Sequence, residues 1–107
     1  MNAETLRSPL IRRAVDAINQ GKLDDFMALF AADATVVDGA TYIGHQVIRS
    51  WAQRETFSTH VHFQVEHEHN AEGAIIAGNV RSHGGYNGPA TFSCTLRGDL
   101  IERLGIT

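Results

Sequence analysis

Cysteine is nearly absent from this chain: Cys94 is the only one among 107 residues. No disulfide can close within the chain, and a reducing compartment, the cytoplasm, is the expectation. Charge of one sign is lacking too. Lys and Arg number 9 against 12 Asp and Glu, for a net charge of −3. The charges are mixed along the chain, so nothing marks nucleic acid or an anionic membrane as a partner. Long apolar runs are missing. No segment approaches the roughly 18 apolar residues of a membrane span, and the opening MNAETLRSPLIRR has no apolar stretch of signal-peptide length. Repeats, linkers and low-complexity segments are not seen. What is left is the composition of one soluble domain, residues 1–107, with 43% apolar and 20% charged residues, enough chain for one core and too little for two.

The first half of the chain is written in helical period. Ser8-Pro9 suits an N-cap followed by the first helical position. Leu10, Ile11, Ala14, Val15 and Ile18 follow as one apolar stripe, with Arg12, Arg13, Asp16 and Asn19 on the other side. Gly21 can end this helix in a left-handed conformation. Leu23, Phe26, Met27 and Phe30 carry a second helix, with Asp24 and Asp25 in its first turn. Residues 35–37 are a short β-branched strand, Asp38-Gly39-Ala40 a turn and residues 41–43 a second short strand. Gly44 starts a third helix with Val47, Ile48 and Trp51 on one face.

From His60 the period changes to two. Residues 60–69 predict a long strand, 70–73 a hairpin loop, 74–83 a strand and 84–89 a flexible connection. Residues 90–96 predict a strand, 97–99 a tight turn and 100–106 the last strand. Helices first and an antiparallel meander afterwards make an α+β fold. The expected shape is a cone: a curved antiparallel sheet wrapped around three helices of the N-terminal half, with a small apolar interior.

The run at residues 17–38, AINQGKLDDFMALFAADATVVD, resembles the opening of the nuclear transport factor 2-like superfamily, in its ketosteroid isomerase and SnoaL-like polyketide cyclase branch. The resemblance lies in the turn Asn19-Gln20-Gly21-Lys22-Leu23 and the phrase Leu29-Phe30-Ala31-Ala32-Asp33-Ala34-Thr35-Val36. It extends to Asp38 at the strand end, to the glycine-opened GHQVIRSW (44–51) and to the closing hairpin LRGDLIERL (96–104). It implies the nuclear transport factor 2-like, or cystatin-like, roll. It carries the isomerase's general base onto Asp38 and a pocket-lining aromatic onto Trp51. The isomerase's two oxyanion donors, a tyrosine and a protonated aspartic acid, fall on Ala14 and near Phe92, which cannot donate a hydrogen bond. Ketosteroid isomerisation itself is therefore not implied. The fold hosts isomerases, cyclases, dehydratases and non-enzymes alike.

An aspartate at the mouth of an apolar cavity can take a proton from the carbon beside a carbonyl. Asp-Gly is equally a strong turn pair. Two HxH pairs, His60/His62 and His67/His69, each place both rings on one strand face. Strand parity groups Val61, Phe63, Val65, His67 and His69 together, and the more apolar set should face inward. His67 and His69 are thus candidate acids or partners for Asp38, as in the fold's dehydratases; solvated strand histidines are the plain alternative. The pattern His60-x-His62, Glu66, Gly73 also fits most of a cupin metal motif. Arg54 replaces that motif's leading glycine, and no second motif follows. Cys94 shares parity with Phe92 and Leu96 and reads as a buried small residue. Glu102 shares parity with Leu100, Leu104 and Ile106: a second cavity carboxylate if that face is inward, a surface residue if the pleat or a bulge shifts it.

The expected site is therefore Asp38, His67 and His69 as catalytic groups. Tyr42, Trp51, Phe63, Phe92 and Ala14 would surround a small apolar or carbonyl-containing ligand. No metal or cofactor is expected. A homodimer is expected, because an open curved sheet leaves edges and an apolar convex face that association would cover. A non-catalytic binding or dimerisation module and a histidine-based metal protein are the alternative readings.

Overall fold

The structure, a computed structural model, describes residues 5–70 and 74–107. Residues 71–73 of the expected hairpin loop, and the first four residues, lie outside the described residues. Helix α1 spans Pro9–Gln20, α2 Leu23–Met27 and α3 His45–Ala52, the last running on into a π-helical turn, Gln53–Phe57. The strands are β1 Phe30–Asp38, β2 Ala40–Ile43, β3 His62–Glu68, β4 Ile75–Arg81, β5 Gly88–Arg97 and β6 Leu100–Ile106. They form one curved sheet in the order β2-β1-β6-β5-β4-β3.

The caps are those the sequence prescribes. The Ser8 hydroxyl accepts from the Ile11 N–H at 3.2 Å, and Gly21 ends α1 with φ +70°. The apolar stripe of α1 is buried as expected, with Ala17 added to it. Two faces of α1 serve two parts of one interior. Leu10, Ala14, Ala17 and Ile18 pack with α2, α3, β1 and β6. Leu6, Ile11 and Val15 pack with Phe63 and Val65 of β3 and Ile76 and Val80 of β4.

Several elements differ from the reading of the sequence. The second helix stops at Met27, and Phe30 opens β1 rather than closing α2. β1 is correspondingly longer, because it gains a partner: it pairs with β6 in parallel, Val36 opposite Leu104. That pairing makes the sheet mixed rather than wholly antiparallel. Val47, expected in the core, is 48% exposed, while Ile48, Trp51 and Ala52 are buried. The strand expected from residue 60 starts at His62, and His60 takes φ +53° in the turn after the helix. The connection expected to be flexible is tied by hydrogen bonds: Ser82 N donates to Asn87 Oδ1 at 2.9 Å, and Ser82 Oγ to the Tyr86 carbonyl at 2.8 Å. The outer face of the sheet is not wholly apolar, since Ser93 and Thr95 of β5 stand exposed on it.

Asn19 has a role its helical position did not announce. Its side chain donates to the Phe63 carbonyl at 3.0 Å and accepts from the Phe63 N–H at 2.7 Å. Both backbone groups of one β3 residue are thereby satisfied by one amide, which docks β3 onto the end of α1. Next to this point Gly78 of β4 lies so close to the Gln64 carbonyl that a Cβ there would collide with it.

Candidate functional site

β1 alternates its side chains, and Ala34 and Val36 face the interior with no exposure. Asp38 is the next residue of that parity. The hairpin at Gly39, with Asp38 opposite Ala40, ends the strand there and leaves the carboxylate half-buried at the edge of the apolar interior. α3 crosses β1 and brings the buried Trp51 alongside. Its indole Nε1–H donates to Asp38 Oδ2 at 3.0 Å. A buried indole N–H requires an acceptor, and a carboxylate makes the bond charge-assisted. The other oxygen, Oδ1, has no partner among the described residues. No buried side-chain polar atom there lacks a partner, so Oδ1 is accessible.

Both residues line a cavity of about 270 Å³. Ile18, Phe26, Val80, Ala90, Phe92 and Leu104 are part of its apolar wall, and Glu55, Thr56, Tyr86, Pro89 and Thr107 also line it. Glu55, Tyr86 and Pro89 are exposed and mark the mouth. The Tyr86 hydroxyl donates to the Pro89 carbonyl at 2.6 Å, which holds its ring there.

Of the residues expected at the site, Asp38, Trp51 and Phe92 meet in this cavity. Phe63 does not line it: it is 1% exposed and stacks behind Phe92 with ring centroids 4.5 Å apart. Ala14 lines instead a separate small void of about 20 Å³ that shares Phe92 with the cavity. Tyr42 packs against the outside of Trp51, centroids 6.1 Å apart, with the Arg54 guanidinium over its ring.

His67 and His69 are corrected outright. Both are exposed and neither reaches Asp38. The cause is a β-bulge: Val65 pairs with Gly78, but His67 pairs with Ala77. One extra residue reverses the parity of everything after it. Glu68 thereby comes opposite the buried Ile76, and His67 moves to the outer face. A second bulge, between Thr95 and Leu96 in the pairing with β6, does the same for Glu102, which bonds Arg97 at the surface at 2.9 Å. The cupin-like histidines fare no better. His60 lies in a turn and His62 on β3, and no three His, Cys, Asp or Glu side chains converge on a metal position among the described residues.

The SnoaL-like domain family matches residues 11–103. The chain belongs to the SnoaL-like family. A candidate polyketide cyclase from Sinorhizobium meliloti superimposes on this SnoaL-like chain with a TM-score of 0.86 at 22% identity, over 100% of both chains. A protein of ketosteroid isomerase-like fold from Catenulispora acidiphila, solved with trimethylamine, gives 0.72 at 22% over 92% of this chain and 84% of its own. A cystatin-fold protein from Novosphingobium aromaticivorans gives 0.75 at 14%, over 92% and 94%. At such identities the likeness is one of fold. No curated protein matches the sequence.

Reading the sequence missed Glu55, Thr56 and Tyr86. The first two reach the cavity because α3 continues into a π turn, in which Ser58 N bonds the Gln53 carbonyl at 2.8 Å and Val61 N the Thr56 carbonyl at 3.0 Å. Such wide turns often occur at functional sites. Nothing in residues 53–57 signals one; for Tyr86, the turn-forming Asn87 beside it is a usable sign. The Thr56 hydroxyl makes no side-chain bond with the described residues, and neither does that of Thr107, which also lines the cavity. Cys94 is half-buried on the inner side, and burial pushes its thiol from an ordinary 9.0 up to about 12.

Proposed function

We propose that this SnoaL-like chain binds a small, largely apolar carbonyl compound in the cavity and moves a proton on it without a cofactor. The chemistry is that of an isomerase, cyclase or dehydratase. Asp38 is the proton acceptor, and the observation that carries this reading is its hydrogen bond from Trp51. That bond fixes the carboxylate at Oδ2 and leaves Oδ1 facing accessible space beside apolar walls. Trp51 is a positioning residue as well as a wall. The proton acceptor takes a proton from the carbon beside the carbonyl, and the developing oxyanion requires a donor roughly 3 Å away. Thr56 and Thr107 carry the available hydroxyls among the described residues, since the Tyr86 hydroxyl is committed to Pro89 and the indole to Asp38. His67 and His69 have no part in this step.

That shortage of free donors favours a second reading, a non-catalytic module that binds a hydrophobic ligand in the same cavity. A crystal structure with a small ketone bound separates them. The catalytic reading expects the carbon beside the carbonyl against Asp38 Oδ1 and the oxygen toward Thr56 or Thr107. A ketone held with its carbonyl away from all three contradicts it.

We further place the protein in the cytoplasm, in keeping with its lone thiol, and as a homodimer. No helix among the described residues is long and apolar enough to cross a membrane. Ile43 on the edge strand β2, 64% exposed, and Leu100, 37% exposed, are apolar side chains that a second copy would cover.

A further inference from the structure

The charges on the cavity wall are of one sign. Among the described residues, the ionisable side chains on that wall are the carboxylic acids Asp38 and Glu55 and the phenol of Tyr86, and no Lys, Arg or His lines it. The remaining wall is rich in π-faces: Trp51, Tyr86, Phe26 and Phe92. Two carboxylates with aromatic rings, and no compensating cation inside, repel an anionic ligand. For a neutral one they leave Asp38 Oδ1 without a matching charge. Both features attract an ammonium group, the carboxylates by Coulomb attraction and the rings through their negative faces.

We infer that the ligand of this cavity is a small organic cation, an ammonium compound whose apolar body carries the carbonyl. The apolar part lies against Phe92, Val80 and Leu104. The positive end faces Glu55 and the Trp51 and Tyr86 rings, within the field of Asp38, whose Oδ1 stays beside the carbon next to the carbonyl. The inference rests on the cavity being the ligand site, as proposed above, and adds the charge of the compound that fills it. Arg54 does not cancel the effect. Its Nε lies 3.2 Å from Glu55 Oε1, but the two side chains are 55% and 50% exposed, a screened pair of small net energy. Its guanidinium rests on Tyr42, outside the cavity. Glu55 keeps its second oxygen for the mouth.

Choline and its uncharged isostere 3,3-dimethylbutan-1-ol test this directly, because they share shape and differ in charge. Calorimetric titration of the wild-type chain at low salt is expected to show choline binding at least about tenfold tighter than the alcohol, a gap of about 1.4 kcal/mol. The gap should shrink with added salt and in Glu55→Gln, an exposed position where the change leaves packing alone. It should shrink further in Asp38→Asn. Equal or tighter binding of the alcohol, or a gap unchanged in both variants, overturns the inference and leaves the cavity as a ligand site. Failure of both compounds to bind at millimolar concentration overturns the inference, and the proposed ligand site loses its support with it. Because binding alone is read, loss of proton transfer in Asp38→Asn does not enter the outcome.

Discussion

Asp38 and Trp51 form the pair on which the proposed chemistry turns. Trp51→Phe keeps a ring in the wall and removes only the N–H. The carboxylate then loses a charge-assisted bond worth about 1.5–3 kcal/mol, and any proton transfer assigned to Asp38 should slow by roughly tenfold or more, with ligand affinity changed less. Rates and affinities of Trp51→Phe and wild type on one ketone check this, and an unchanged rate means the indole does not position the acid. Asn19 makes a structural prediction of the same grain. Asn19→Ala strands both polar groups of Phe63 and should cost about 2–3 kcal/mol of unfolding free energy, read from urea denaturation. Legibility differs between these residues. Asp38 was legible because a charge closes a β-branched run. The Trp51 bond was only half-legible: a buried indole demands an acceptor, but sequence spacing does not say which. Asn19 looks from its helical position like a solvent-side residue, because its partner Phe63 is 44 positions away in the chain.

Helix positions were legible where local chemistry sets them. Ser8-Pro9 and Gly21 bracket α1 as their side chains dictate. Ser8→Ala should lower stability by about 1 kcal/mol, measurable as a small fall in urea midpoint with an unchanged slope. Strand faces were less legible. Period two placed Phe63 and Val65 inward correctly, then failed at the bulge after Val65, and His67 and His69 were assigned to the wrong side. A bulge is set by what two strands can pair, which no window of one strand contains. β1 failed for a related reason: its extension back to Phe30 depends on β6, some 70 residues later in the chain, as the pairing of Phe30 with Ile101 shows. The close approach of Gly78 to β3 gives the element-scale test. Gly78→Ala should force β3 and β4 apart beside the bulge and cost about 1–3 kcal/mol, with the largest amide shifts at Gln64 and Val65. Shifts confined to β4 argue against that contact.

At the scale of the molecule, one sheet, bent over α1 and α3, encloses a largely apolar cavity and sets Asp38 at its edge. Burial of Cys94 ties this interior to pH. Below its ordinary pKa of 9.0 the thiol is protonated in both folded and unfolded chains. Above it the unfolded chain ionises while the folded chain, held up to about 12, does not. The unfolded state then binds fewer protons, so stability falls as pH rises from 9 toward 12. Urea melts at pH 7 and pH 10 should show this loss in wild type and a smaller one in Cys94→Ala. The fold as a whole was legible from residues 17–38 and the four-strand texture behind them, while the cavity's mouth was not, because Glu55 and Thr56 reach it through a π turn. The most direct measurement is solvent deuterium exchange at the carbon beside the carbonyl of a small cyclic ketone, followed by mass spectrometry. Wild-type chain should accelerate exchange above the buffer rate and Asp38→Asn, folded and still binding the ketone, should return it to that rate. Exchange that proceeds as fast in Asp38→Asn as in wild type, or that wild type fails to accelerate for a ketone it binds, contradicts Asp38 as the proton acceptor.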